Sequence, residues 1–249
     1  NSIMTNKYMY FVANWKMYGN LSSLNTLDKV IRFSKSKEIK GGRLIYCPPN
    51  TLINSFSKKF NNCQIGIGGQ NCHESKDYGA HTGHVNSRML KNIGAHFVII
   101  GHSENRKQGE SDKLINLKIK SALEAKLKVI FCIGETLSEK RKKKTRSILS
   151  KQIKIGLKNI KNKSNIFIAY EPVWAIGSGI IPKSYDLFKT IEFIKSKFRD
   201  KLPKVLYGGS VNPENITNLK KINNIDGFLI GGASQSAKKF IDIVKKTYS

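Results

Sequence analysis

Short apolar segments alternate along the chain with stretches that carry apolar residues at helical spacing. The segments predicted as strands are 8–13, 44–47, 64–68, 97–100, 129–133, 166–170, 205–207 and 228–230. Between them, Leu187, Ile191, Ile194 and Phe198 fall on one face of a helix. Strands that alternate with amphipathic helices predict an α/β fold with a parallel sheet covered by helices.

Eight such units in 249 residues fit a closed (β/α)8 barrel. No linker or composition break divides the chain, so we expect a single domain over residues 1–249. An open, doubly wound sheet is the alternative, but its glycine-rich turn after the first strand is missing, and Asn14-Trp-Lys-Met stands there instead. Residues 1–3, which precede Met4 without a signal-peptide pattern, are candidates for a cloning remnant.

The composition predicts a cytosolic protein without a membrane-spanning segment. Hydrophobic residues make up 39% of the chain, yet no apolar run approaches the roughly 20 residues that span a bilayer. The four cysteines show no Cys-x-x-Cys spacing and lie near predicted strands. We therefore expect four buried, reduced thiols in a cytoplasmic protein.

The net charge of +27, from 44 Lys and Arg against 17 Asp and Glu, raises the question of an anionic partner. Nucleic acid, an anionic membrane surface and small anions are all consistent with such a surplus. The one dense run, 140–146, has no interleaved aromatic residues and opens a helical pattern. We therefore interpret it as a solvated helix face rather than a polynucleotide site.

One apolar segment ends in a single carboxylate. Residues 166–170 predict a strand buried on both faces, and Glu171 and Pro172 follow it directly. Because a residue before proline avoids helical geometry, we expect an extended strand end that aims the Glu171 side chain outward. The stretch 172–182, bounded by Pro172 and a Gly-Ser-Gly, has the composition of a lid. A carboxylate beneath a lid is a candidate general base, and an ordinary surface acid is the alternative.

Other polar residues should meet Glu171 in space. The carboxyl ends of parallel barrel strands share one face, which collects Asn14 and Lys16 after the first strand and His102 after the fourth. A carboxylate that takes a C–H proton, with an imidazole and an ammonium on the developing oxyanion, suits proton abstraction next to a carbonyl. Because His102 precedes a predicted helix start, we expect the helix dipole to keep it neutral.

Glycine turns follow the last two predicted strands. They are Gly208-Gly209-Ser210 and Gly231-Gly232, and a helix is predicted to start within 233–238. Glycines let backbone N–H groups approach an anion closely, and the helix dipole favours negative charge there. The pair of turns predicts a phosphate site without a side-chain cation. We find no cluster of metal ligands; His81 and His84 have His-x-x-His spacing, but nothing nearby completes a site.

These strand-end motifs resemble those of the triosephosphate isomerase family, nearly from end to end. The segments that carry the resemblance are Asn14-Trp-Lys-Met, Ile100-Gly-His-Ser-Glu, Ala169-Tyr-Glu-Pro-Val-Trp-Ala-Ile-Gly-Ser-Gly, Tyr207-Gly-Gly-Ser-Val-Asn and Gly231-Gly-Ala-Ser. The resemblance implies a TIM barrel that interconverts dihydroxyacetone phosphate and glyceraldehyde 3-phosphate in glycolysis and gluconeogenesis. It implies no cofactor and no metal.

Residue roles follow from the same resemblance. It implies that Glu171 is the base, His102 the electrophile, and Lys16 a catalytic and substrate-binding cation. Substrate is further bound by residues whose roles the family shares: Asn14, Gly177, Ser210, Gly231 and Gly232. The resemblance also implies that Ser103 holds Glu171 in the open state and that Glu104 supports Lys16. A plain acid at a helix start is the alternative for Glu104.

The family is usually a homodimer, and two positions here depart from its pattern. The segments that match its dimer loop include Gln70 and Asn71, with Thr82 at the tip. His84 stands where the family commonly has an acid, and Asn105 where it commonly has an arginine that pairs with that acid across the interface. Loss of both charges can be nearly neutral. We expect the dimer to persist with a hydrogen bond or water between His84 and Asn105.

Two other functions compete with this reading. A nucleic-acid-binding protein on a barrel scaffold is motivated by the net charge alone, and nucleic acid is not the expected partner. A barrel enzyme for another phosphorylated sugar is disfavoured by the motif set.

Overall fold

The chain closes into a barrel of eight parallel strands. The computed structural model describes residues 7–39, 41–199 and 201–249; residues 1–3, the expected remnant, lie outside this range. Each strand pairs with its neighbours in the sequence, and β8 pairs with β1 to close the ring. The strands are β1 Tyr10–Asn14, β2 Arg43–Cys47, β3 Gly66–Gly69, β4 Phe97–Ile100, β5 Lys128–Ile133, β6 Ile166–Tyr170, β7 Val205–Tyr207 and β8 Gly227–Ile230. The predicted fold class is confirmed.

Helices surround the barrel and connect its strands. The α-helices are α1 Leu27–Ser34, α2 Asn50–Lys59, α3 Ser87–Asn92, α4 Ser103–Lys107, α5 Asp112–Glu124, α6 Leu137–Arg141, α7 Thr145–Gly156, α8 Ser184–Lys195, α9 Ile216–Leu219 and α10 Ala237–Tyr248. Short 3₁₀ helices occur at Leu21–Thr26, Lys37–Ile39, Val173–Ala175 and Gly232–Gln235. None of the helices in the described ranges is both long and apolar enough to span a bilayer.

Alternation along the strands divides the apolar core into two layers. One strand face fills the barrel interior, for example with Val12 and Ile99, and the other packs against the helices. The stripe predicted on α8 is buried at Leu187, Ile191 and Ile194. Phe198 lies beyond the end of that helix. The barrel is thus a packed scaffold that fixes the strand ends in space.

The expectation of four buried cysteines was wrong at one position. Cys63 is partly exposed, because it lies in the turn before β3 rather than on the strand, whereas the other three cysteines are buried; all four are free. Trp15 is buried, and Met17, two residues further on, is 93% exposed within one chain.

Candidate active site

A cavity of about 370 Å³ opens at the carboxyl ends of the strands. It brings together all eight residues to which the sequence analysis assigned catalysis or substrate binding: Asn14, Lys16, His102, Glu171, Gly177, Ser210, Gly231 and Gly232. Sequence reasoning missed Asn212, Glu214 and Lys239, which also line it. Their strand-end or helix-start positions were the only available signal. The polar strand ends therefore meet in one place.

Glu171 lies at the centre of this cavity, and its side chain is buried. Only 2% of its surface is exposed, so the alternative of an ordinary surface acid was wrong. The backbone N–H of Ser103 donates to Oε1 at 3.0 Å, and Oε2 lies 3.0 Å from Nε2 of His102. These contacts turn the carboxylate toward the start of α4 and leave room in the cavity for a ligand.

The backbone of Glu171 is positioned by a close approach of Gly134. A Cβ atom on Gly134 would lie 1.8 Å from the carbonyl oxygen of Glu171. Only glycine fits at that distance. The end of β5 therefore sets where the end of β6 delivers its carboxylate.

His102 caps the start of α4. Its Nδ1 accepts a hydrogen bond from the backbone N–H of Glu104 at 3.2 Å, so this nitrogen carries a lone pair and Nε2 carries the hydrogen. Burial lowers the pKa of His102, but the adjacent Glu171 carboxylate outweighs it and raises the pKa above its ordinary value. The helix dipole, which was expected to keep His102 neutral, is thus opposed by the Glu171 carboxylate.

Lys16 is held in a strained backbone conformation. Its φ of 57° falls in the left-handed region, which non-glycine residues rarely adopt. Asn14 Oδ1 accepts from the Lys16 backbone N–H at 3.0 Å, and Gln70 Nε2 donates to the Lys16 carbonyl at 2.8 Å. The Lys16 Nζ pairs with Glu104 Oε1 at 2.8 Å. The Lys16 side chain lines the cavity, and its ion pair with Glu104 restrains the ammonium.

The far end of the cavity is built from backbone. Gly231 precedes the 3₁₀ helix Gly232–Gln235, and α10 starts at Ala237, which confirms the helix start predicted within 233–238. A Cβ on Gly232 would meet nothing within 4 Å, so the space beside this glycine is open. Such an arrangement suits an anion held by peptide N–H groups.

The segment 172–182 forms one wall of the cavity. The Ser210 hydroxyl donates to the Ala175 carbonyl at 2.6 Å and accepts from the Gly179 N–H at 3.1 Å. Gly177 and Gly179 have φ of 65° and 73°, and Ile180 is 54% exposed. The wall is thus tied to the turn after β7 by two hydrogen bonds at one hydroxyl.

Glu135 anchors the beginning of this wall and was missed by sequence reasoning. It is 1% exposed, accepts from the Tyr170 hydroxyl at 2.9 Å and accepts from Trp174 Nε1 at 3.2 Å. The Lys140 ammonium lies 3.5 Å over the Trp174 ring. The basic run 140–146 therefore ends α6 and begins α7, and its first lysine contacts the wall.

Of the residues predicted for the dimer loop and its contacts, some lie beside the candidate active site and others lie on the surface. Gln70 supports Lys16, and Asn71 Nδ2 donates to Glu110 Oε1 at 2.8 Å. Thr82 and His84 are exposed, and Asn105 is partly exposed on α4. These positions leave the tip of the loop free to meet another surface.

The histidines of that loop have a neighbour that the sequence analysis did not include. The His73 ring centroid lies 4.2 Å from that of His81 and 4.8 Å from that of His84. Even so, within the described ranges no group of three or more His, Cys, Asp or Glu side chains has an arrangement that could hold a metal ion.

The barrel and the groups in its cavity define a (β/α)8-barrel enzyme equipped for proton transfer on a small anionic molecule. A family model described as triosephosphate isomerase matches residues 9–247. The chain belongs to the triosephosphate isomerase family. Its activity is that of an aldose–ketose isomerase of glycolysis, which interconverts dihydroxyacetone phosphate and glyceraldehyde 3-phosphate.

Individual relatives agree with the family model. The chain is 41% identical over 245 residues to triosephosphate isomerase of Thermodesulfovibrio yellowstonii, covering 95% of this chain and 98% of that protein. It is 41% identical over 245 residues to the enzyme of Dictyoglomus thermophilum, with 94% and 97% covered. The crystal structure of triosephosphate isomerase from Bartonella henselae superimposes with a TM-score of 0.85 at 37% identity, covering 94% and 97% of the two chains.

Proposed function

We propose that Glu171, His102 and Lys16 carry out the isomerisation in the cavity at the strand ends. The single observation that supports this most is their convergence: the carboxylate lies 3.0 Å from the imidazole, and the ammonium lines the same cavity. No other cavity outlined by the described residues combines a buried acid with a buried imidazole.

The substrate phosphate is held by backbone N–H groups of the glycine turns. Gly177, Ser210, Gly231 and Gly232 line that end of the cavity. Asn14 and Lys16 bind the triose itself. The phosphate then places the carbon next to the carbonyl within reach of Glu171, which converts an encounter into an oriented complex.

The chemical step is a proton transfer. The Glu171 carboxylate takes a proton from the carbon next to the carbonyl; the C–H electron pair forms the C=C bond, and the carbonyl oxygen becomes an enediolate oxygen. Nε2–H of His102 and the Lys16 ammonium stabilise that oxygen. The enediolate oxygen then gains a proton while the hydroxyl on the neighbouring carbon loses one. Glu171 returns its proton to the former carbonyl carbon as the neighbouring C–O bond becomes the new C=O bond, which completes the isomerisation. No cofactor or metal takes part in any step.

Before Glu171 takes the proton, its carboxylate must break the hydrogen bond that it accepts from the Ser103 N–H. We propose that the segment 172–182 closes over the bound triose as the carboxylate turns. Closure excludes water from the enediolate. Ser103 is thus a positioning residue, as is Glu104 through its pair with Lys16.

A substitution of Glu171 by Asp tests the assignment. The side chain becomes one methylene shorter, and a misplacement of about 1 Å lowers turnover by on the order of 10²-fold. Initial rates in a coupled assay give kcat. Glu214→Asp, an exposed acid of the same cavity, is the matched control and should keep its rate. Turnover of Glu171→Asp equal to that of the control would rule out the role of Glu171.

We also propose that two copies form a homodimer through the loop that carries Thr82, in the cytoplasm. The exposed apolar residues Met17 and Tyr78, 93% and 69% exposed, support an interface on this side. Sedimentation should show a dimer that Met17→Glu weakens, while Leu137→Glu, 43% exposed on α6, leaves it intact. A monomeric wild type would refute the dimer. Cell fractionation against a cytoplasmic marker tests the location.

A further inference from the structure

A second and larger cavity lies at the opposite end of the barrel from the candidate active site. Its volume is about 610 Å³, against about 370 Å³ for the active-site cavity. Its lining includes the first residues of three strands, Tyr10, Lys128 and Ile166, the segment 161–165 and the described residues of the segment 197–204. We call it the amino-terminal basic cavity. Because it is lined by the amino ends of strands, its occupants do not meet the isomerase groups.

The charge of this cavity is uniformly positive among the described residues. Its cationic lining residues are Lys128, Lys161, Lys163, Lys197, Arg199, Lys201 and Lys204, and none of the described lining residues is acidic. Asp200, within the same segment, lies outside the described residues. Low-dielectric walls that carry one sign of charge focus the potential and concentrate counter-ions.

Most of these cations have no intramolecular hydrogen bond or ion pair among the described residues. Lys163 Nζ donates to the Ile160 carbonyl at 2.8 Å, and Lys197 lies 4.5 Å over the Phe193 ring. Lys161, Arg199, Lys201 and Lys204 have no hydrogen bond or ion pair within the described ranges. Their charges are therefore available to a ligand.

The buried acid at this end of the barrel is already neutralised. Asp226 pairs with Lys7 at 2.7 Å and with Lys195 at 2.8 Å. Its charge is therefore already compensated by two lysines, and none of the described lining residues of the amino-terminal basic cavity supplies another acid.

We propose that the amino-terminal basic cavity binds a polyphosphorylated small molecule. Phosphate oxygens are strong acceptors for ammonium and guanidinium groups, and a chain of phosphates can contact both segments of the wall. The volume falls in the range of about 300–1,000 Å³ that is common for small-ligand sites. The apolar floor, where the Tyr10 and Phe167 rings pack 4.9 Å apart, suits an organic group attached to the phosphates.

A polynucleotide fits these observations less well. Sites for single-stranded nucleic acid present aromatic faces on which bases stack. Here Phe167 is 8% exposed, and its ring packs against Tyr10 and Phe97. Tyr10 and Phe198 are the partly exposed rings of the lining, and a concave, multiply charged site with so few rings favours a compact polyanion over an extended strand.

Equilibrium binding of tripolyphosphate and of ATP to the intact enzyme, at low ionic strength, tests the proposal. The triple variant Lys161→Gln, Lys201→Gln and Lys204→Gln removes three unpaired charges from both walls. It should raise the dissociation constant by about 10-fold or more, while kcat and KM of the isomerase stay unchanged. A ligand bound in the active-site cavity would be unaffected by these substitutions.

The matched control is the triple variant Lys29→Gln, Lys151→Gln and Lys221→Gln, which removes three exposed lysines that line no described cavity. Its dissociation constant should stay within about 3-fold of wild type, since only the distant field changes. Equal weakening in both variants would overturn the proposal in favour of a general field effect. Full binding in the first variant, or binding of an RNA oligonucleotide without tripolyphosphate, would overturn it as well.

Discussion

At the scale of residues, the site combines a strained backbone conformation at Lys16 with a buried carboxylate at Glu171. Lys16 takes a left-handed φ of 57°, and Glu171 is buried against His102 rather than exposed to water. Such strain persists only where neighbours over-determine the conformation, here Asn14 and Gln70 around Lys16. The residues that set this geometry are as necessary as those that touch the triose.

Gly134 provides a test of that view. Gly134→Ala puts a methyl group 1.8 Å from the Glu171 carbonyl oxygen, so the end of β6 must shift. We expect a loss in kcat on the order of 10²-fold, because the base moves by about 1 Å, and a loss of stability of about 1–3 kcal/mol from overpacking. Initial rates and urea unfolding measure the two effects. A folded variant with wild-type kcat would show that β5 does not position Glu171.

The sequence predicted the identity of the site residues but not their state. Buried runs that end in Glu171 or His102 are visible in a single sequence, because burial and strand ends leave local patterns. The supports are not local: Gln70 reaches Lys16 across 54 positions, and the Ser103 N–H reaches Glu171 across 68. No periodicity encodes such contacts, so the strain at Lys16 and the raised pKa of His102 emerged only from the fold.

At the scale of elements, α6 is connected to the wall 172–182 through one side chain. Lys140→Gln removes the ammonium that lies 3.5 Å over the Trp174 ring. A cation–π contact at such a site contributes about 0.5–1 kcal/mol, so kcat/KM should fall about 2- to 5-fold as the base of the wall loses order. Besides the buried Trp15, Trp174 is the only tryptophan, so the emission spectrum should also change. Lys142→Gln is the control. Equal kcat/KM and equal emission spectra for the two variants would show that Lys140 does not order the wall.

The closure of β7 and β8 depends on one buried acid. Asp226 accepts from the Val205 N–H at 2.8 Å and pairs with Lys7 and Lys195. Burial raises its pKa, but the hydrogen bonds from Lys195, Lys7 and Val205 outweigh burial and hold the pKa below its ordinary value. Because the folded pKa is depressed, this stabilisation is present above about pH 4 and is lost as the pH falls through the folded pKa.

Asp226→Asn tests this account. The variant should lose about 2 kcal/mol of unfolding free energy at neutral pH, and its difference from wild type should shrink in acid. Urea unfolding of both proteins at neutral and at acidic pH measures this difference in unfolding free energy. Asp242→Asn, which breaks the i,i+4 pair with the exposed Lys238, should show no measurable loss. A deficit for Asp226→Asn that is the same at all pH values would contradict the ionic origin.

At the scale of the whole molecule, the proposed dimer should respond to acid. His84 faces His73, which in turn contacts His81 and lies 3.5 Å from Glu74. Burial and the neighbouring cations lower the pKa of His73, so protonation of this group is disfavoured in the folded chain. Acid would add positive charge to the histidines beside the loop tip, and Asn105, the neutral residue expected to meet His84 across the interface, cannot balance it. We expect a weaker dimer at about pH 5.5 than at about pH 8; equal association constants by sedimentation would refute it.

The net charge of +27 acts on the rate at which an anionic triose phosphate reaches the cavity. Lys239 lines the cavity beside the glycine turns, so it adds positive potential where the phosphate is proposed to bind. Salt shortens the Debye length to about 10 Å at 0.1 M. We therefore expect kcat/KM to fall about 2- to 10-fold as ionic strength rises, with a smaller effect on kcat. Lys239→Gln should reduce this salt dependence more than Lys29→Gln, which removes the same charge from α1. A kcat/KM that does not change with salt would make the surplus charge irrelevant to substrate capture.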